Sequence, residues 1–186
     1  MIIASQKKKE NIAEYLLYMW QIEDMIRANG MDIEKIRTGI IDKFTSLSPE
    51  QKKEMTEWYE SLIDMMRREG VAESGHLQIN KNVLASLADL NHRLLADPEF
   101  VRYGAQYYKV LPYIVEIRSR AGENRKGELE SLFEMFYGIM LLRLQGKEVS
   151  EDTMAAAKEA SALLAMLAAY YKKDQENTLF KDQREN

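Results

Sequence analysis

Apolar positions recur along this chain at spacings of three and four, the period of an α-helix with one buried face. The densest example is NIAEYLLYMWQIEDMIRA, Asn11 to Ala28. On a helical wheel Ile12, Leu16, Met19 and Ile26 fall in line, with Tyr15, Trp20 and Ile22 to the sides and Glu23 in the middle of the stripe. Only Glu14, Gln21 and Asp24 keep a polar edge, so neighbours must cover this helix on two or three sides. The first helix is expected from about Gln6 to Asn29-Gly30, where glycine supplies the left-handed stop. A second follows from the Met31-Asp32 staple and cap to about Thr45.

The third helix opens on Ser48, Pro49 and Gln51, a capping box with proline at the first turn, and runs to Glu69. It presents Met55, Trp58, Tyr59, Leu62, Ile63 and Met66 on one face. Glu57 and Glu60 fall among Asp64, Arg67 and Arg68 on the other, which makes them a solvated face and not a metal or acid-base pair. After a Gly- and Ser-containing loop, the fourth helix carries Val83, Leu84, Leu87, Leu90, Leu94 and Leu95, capped either by Ser74 or by Asn80. The fifth opens at Asp97-Pro98 and reaches Arg120 with a kink expected at Pro112, whose ring crowds the carbonyl of Tyr108.

A basic turn from Arg118 to Lys126, containing Arg120 and Arg125, leads to a sixth helix over Glu128 to Gln145. Val149-Ser150 starts the seventh. That helix is apolar nearly all round to Tyr171, and its small residues Ala157, Ser161, Ala165 and Ala168 suit close approach in a core or at a subunit interface. The pattern therefore predicts an all-α fold: one domain over residues 1–175, a multi-helix bundle or short helical array of about seven helices, and a polar, frayed tail over 176–186.

Composition narrows the function classes. With 186 residues, 46% hydrophobic and 30% charged, the chain can bury a substantial core. A net charge of -4 argues against a nucleic-acid backbone as partner. There are no cysteines, hence no disulfide, thiolate or cysteine-bound metal, which suits a cytoplasmic location. The N-terminal MIIASQKKKEN is not a secretory signal, and Ala160 to Tyr171 is too short to span a membrane.

Candidate chemistry is sparse. Glu23, in an apolar stripe, must find a cation or lose its charge, so pairing with Arg27, Arg143 or both is expected, as a structural ion pair. His76 and Asn80, with Asn91, form a polar set beside leucines, and the favoured role for His76 is a loop tether. Asp89 and His92 have the spacing of a carboxylate-bridged metal motif, but such sites need a second copy and further glutamates, so no metal and no cofactor is expected. Tyr103, Tyr107, Tyr108 and Tyr113 crowd around Pro112, where a small-molecule pocket would be lined by phenols.

The strings NIAEYLLYMWQIEDMIRAN, EGVAESGHLQINKNV and YYKVLPYIVEIRS resemble an uncharacterised family of Bacteroidetes proteins catalogued only as a domain of unknown function. The resemblance covers almost the whole chain. It implies a stand-alone, cytoplasmic, all-helical protein and brings no catalytic residues with it. The expected function is accordingly a non-enzymatic protein-interaction or scaffold domain, with self-association or another protein as partner. A helical small-molecule-binding domain is the alternative, and an enzyme comes third.

Overall fold

The structure, a computed structural model, describes residues 2–122 and 126–180. Among them it is all-α, with no strand. The helices are α1 (Ile2–Glu10), α2 (Ile12–Ala28), α3 (Ile33–Gly39), α4 (Pro49–Arg68), α5 (Gln78–Ala96), α6 (Val101–Arg120), α7 (Glu128–Leu144) and α8 (Glu151–Gln175), with short 3-10 turns at Ile41–Lys43 and Pro98–Phe100. No described helix is long and apolar enough to cross a membrane.

The local signals hold where capping chemistry is explicit. The Ser48 hydroxyl accepts from the Gln51 N–H at 3.2 Å while the Gln51 side chain accepts from the Ser48 N–H at 2.9 Å, closing the box at the head of α4. Asp32 receives the Glu34 and Lys35 N–H groups ahead of α3, and Ser150 receives that of Thr153 ahead of α8. The expected first helix is divided, however. Asn11 Oδ1 accepts from the Ala13 N–H at 3.0 Å, so this residue opens α2 and is not part of a continuous helix. The second expected helix also stops early, at Gly39, and continues as the 3-10 turn.

Contacts gather into two compact units, residues 1–10 with 14–83 and residues 11–13 with 84–186. The core of the first contains Leu16, Met19 and Ile26 of α2, Ile36 of α3, and Tyr59, Leu62 and Met66 of α4, all buried. The turn from α2 to α3 places Gly30 and Met31 consecutively in the left-handed region, at φ 68 and 60. Glycine adopts this without penalty, whereas at Met31 it is held by the N–H to the Ile26 carbonyl and by Arg67 donating to the Met31 carbonyl, each at 3.0 Å.

In the second unit Leu87, Leu90 and Leu94 of α5, Tyr103, Val110 and Ile114 of α6, Leu132 and Phe133 of α7, and Ala160, Leu163 and Leu167 of α8 are buried. Of the small-residue ridge on α8, Ala157 and Ala168 are buried while Ser161 and Ala165 are exposed. The helix α6 runs on through Pro112. Near the chain end Arg93 forks onto Asp174 at 2.9 and 2.7 Å, and Phe180, in the stretch expected to be a frayed tail, sets its ring 5.5 Å from that of Phe100. Residues 181–186 of that tail lie outside the described residues.

Candidate functional site

Glu23 is where the wheel puts it, in the buried face of α2, with none of its surface exposed. Its carboxylate takes three donors. The His76 ring nitrogen Nδ1 lies 2.6 Å from Oε2, and Oε1 accepts from the Leu77 N–H at 2.9 Å and from Asn80 Nδ2 at 2.7 Å. Leu77 and Gln78 are the entrance of α5, and the Gln78 N–H donates in turn to Glu69 at 2.6 Å. Two carboxylates therefore meet main-chain donors at a helix N-terminus, where the helix field favours negative charge by about 0.3–1 kcal/mol.

This corrects the expected pairing with guanidinium. Arg27 instead donates to Asp24 at 2.6 Å, to the Val71 carbonyl at 3.1 Å and to the Gly75 carbonyl. Arg143 is exposed in the last turn of α7 and reaches Met154 Sδ. The charge on Glu23 is answered by N–H groups within its own unit, which side-chain counting along a wheel does not register. Successive turns of α2 thus clasp the 71–77 loop, Glu23 at its exit and Arg27 at Val71 and Gly75.

The His76 ring stacks on Trp20, centroids 4.2 Å apart and planes at 11°. Its Nδ1 is committed to Glu23, and with 24% of the side chain exposed the ring is the only part of the dyad that meets solvent. A carboxylate holding one imidazole nitrogen fixes the ring's orientation, an arrangement equally at home in a general base, a metal ligand or a structural tether. Among the described residues no group of three or more His, Asp or Glu side chains comes together as a metal site. Asp89 is drawn off by Arg93 at 2.9 Å and His92 is exposed.

The four tyrosines of α6 do not converge on one pocket, because at 100° per residue they divide between opposite faces. Tyr103 is buried and donates to Asn91 Oδ1 at 2.6 Å, and Tyr107 is buried and donates to Glu128 at 2.6 Å. Burial pushes both phenols well above their ordinary range, with the Glu128 hydrogen bond and charge adding to the effect at Tyr107. Tyr113 lines a hollow of about 610 Å³, with Ile117, Ile139 and Leu142 among its walls. The described cations of the basic turn each meet a carboxylate: Arg118 lies 3.8 Å from Glu128 and donates to the Lys126 carbonyl at 3.0 Å, Arg120 pairs with Glu116 at 2.5 Å, and Lys126 pairs with Glu130 at 3.5 Å and with Glu134. Arg125 lies outside the described residues.

The outer face of α6 went unread in the sequence. Val101, Tyr108 and Val115 are 71%, 68% and 59% exposed, and the residues between them on the same face, Ala105 and Pro112, are exposed as well. Their spacing alternates four and three, the seam by which one helix packs along another. Arg102, Lys109 and Glu116 flank it on one side. The corresponding face of α4 carries Glu57, Glu60, Asp64, Arg67 and Arg68, all exposed, as solvated helices do. The signal was present in the sequence as a second apolar period on α6, out of phase with Tyr103, Tyr107, Val110 and Ile114.

The family model for a domain of unknown function, DUF4924, matches residues 1–178, and the chain belongs to that family. No curated protein and no solved structure matches it.

Proposed function

We propose that this member of the DUF4924 family is a non-enzymatic protein-interaction module that pairs helix to helix through the outer face of α6. Its partner is a helix carrying an apolar seam of its own. The observation that carries this reading is the run Val101, Ala105, Tyr108, Pro112 and Val115, exposed at seam spacing along one helix. Apolar residues scattered singly on a surface need no explanation, whereas a contiguous stripe rimmed by charge is the usual mark of a docking surface. The Glu23 cluster supports the same conclusion from the other side. Its carboxylate is sealed and takes its donors from the loop it clasps and from the first turn of α5, which suits a structural role. The cysteine-free composition suits a cytoplasmic setting for such a module.

The hollow beside Tyr113 favours a second reading, a small-molecule-binding domain, which a thermal-shift screen of metabolites addresses directly.

A photo-crosslinking residue at position 108, compared with the same residue at position 57 on the charged face of α4, tests the docking reading in cells. Adducts that form at position 108 and not at 57, and that map by mass spectrometry to an apolar helix face, are the expected result. Equal labelling from both positions overturns it.

A further inference from the structure

We infer that the helix received by this face is α6 of a second copy of the chain, laid antiparallel about a two-fold axis centred on the Tyr108–Pro112 segment. The inference rests on the docking reading above and names its partner. A two-fold interface uses one patch twice, so the patch must complement itself, and this one does so in a single register. With the helices antiparallel, the Tyr108 ring covers the partner's Pro112, Ala105 receives the partner's Val115, and Val101 meets the partner's Ser119. At each layer a large side chain faces a smaller or flatter one, and the flat ring of Pro112 is accommodated.

The flanking charges select the same arrangement. In this register Arg102 lies beside the partner's Glu116, and symmetry repeats the pair at the other end. Glu116 already holds Arg120 within its own chain, and its carboxylate has capacity for a second donor. Lys109 faces the partner's Lys109 at the solvent edge near the axis, the one like-charge meeting. A parallel pairing stacks Tyr108 on the partner's Tyr108 and Pro112 on the partner's Pro112, and sets Glu116 beside the partner's Leu111 with no cation. The seam lies within α6, a 20-residue helix about 30 Å long.

Sedimentation of the full chain tests the partner and its orientation together. The wild-type chain is expected to dimerise, with Arg102→Glu and Glu116→Arg each weakening the dimer at least about tenfold and the double exchange restoring most of the loss. The sequence contains no cysteine, so introduced thiols report without ambiguity. Ala105→Cys combined with Val115→Cys should give a disulfide-linked dimer on oxidation, and Val101→Cys alone should not. A cooperative thermal transition by circular dichroism establishes that each variant folds. Linkage by Val101→Cys alone, or failure of the double charge exchange to rescue, overturns the antiparallel geometry. A wild-type chain that stays monomeric at about 100 µM overturns self-pairing altogether, and if position 108 still crosslinks to an apolar helix of another protein, the docking reading survives without it.

Discussion

Glu23 and Tyr108 violate the ordinary distribution of polar and apolar groups in opposite directions. The carboxylate of Glu23 is wholly buried, and the chain answers it with an imidazole, a main-chain N–H and an amide. Tyr108 stands with Val101 and Val115 in solvent, although the opposite face of α6 follows the usual rule and buries Tyr103, Val110 and Ile114. The first departure is compensated inside its own unit and so is explained by folding. The second has no compensation of that kind, and an uncompensated departure is the better pointer to a partner. A buried charge attracts attention first in a sequence, yet in the docking proposal it is the exposed stripe that bears on function.

The comparison breaks most visibly at Glu23. Replacing it with alanine leaves two buried donors, the Leu77 N–H and the Asn80 amide, and the partly exposed His76 ring without their acceptor, and a loss of about 3–5 kcal/mol is expected in urea denaturation. A loss of less than about 1 kcal/mol would mean that the clasp contributes little to stability.

Alkaline pH gives an intermediate effect. Tyr59, Tyr103 and Tyr107 have phenols raised by burial above the ordinary value of 10.0. Near and above that value the unfolded chain releases phenolic protons that the folded chain retains. The unfolded state then binds fewer protons, and stability falls as pH rises. Their contribution is complete at pH 7 and declines progressively from about pH 10 upward. Urea melts across that range, followed with the phenolate absorbance, check both sign and window. Phenols that ionise in the folded protein at their ordinary pH would contradict the burial of these residues.

The smallest expected effect lies on the outer face of α6. Substituting serine for Val101, Tyr108 and Val115 together should change the stability of the isolated monomer by no more than about 0.5 kcal/mol per site, as for other surface positions. A loss comparable to that of the Glu23 variant would show that the stripe is supported within the chain after all, and the contrast between the two regions would disappear.

The sequence disclosed this architecture unevenly, for a physical reason. Ser48, Asp32 and Ser150 were legible because a cap is formed by residues two or three positions apart. The burial of Glu23 was legible because a wheel reports which face a residue occupies. Its partners were not, since a wheel of α2 cannot show which side chains 53 and 57 positions away, those of His76 and Asn80, or which main-chain N–H, that of Leu77, will meet it. The break at Asn11 was missed because apolar periodicity continues across it, while the asparagine side chain ends one helix and opens the next. The stripe on α6 was obscured by grouping tyrosines according to nearness along the chain, when Tyr107 and Tyr108, adjacent in sequence, point to different sides.

The clasp on the 71–77 loop also bears on folding kinetics. Glu23 reaches partners 53 to 57 positions away, with α3 and α4 in the intervening chain. Closing so long a span has an entropic cost until those helices have docked, so Glu23→Ala is expected to leave the refolding rate little changed in stopped-flow measurements. A contact formed late has little influence on how quickly a unit assembles. The same variant is then expected to unfold faster, and a refolding rate that falls as far as the stability does would show that the contact forms early.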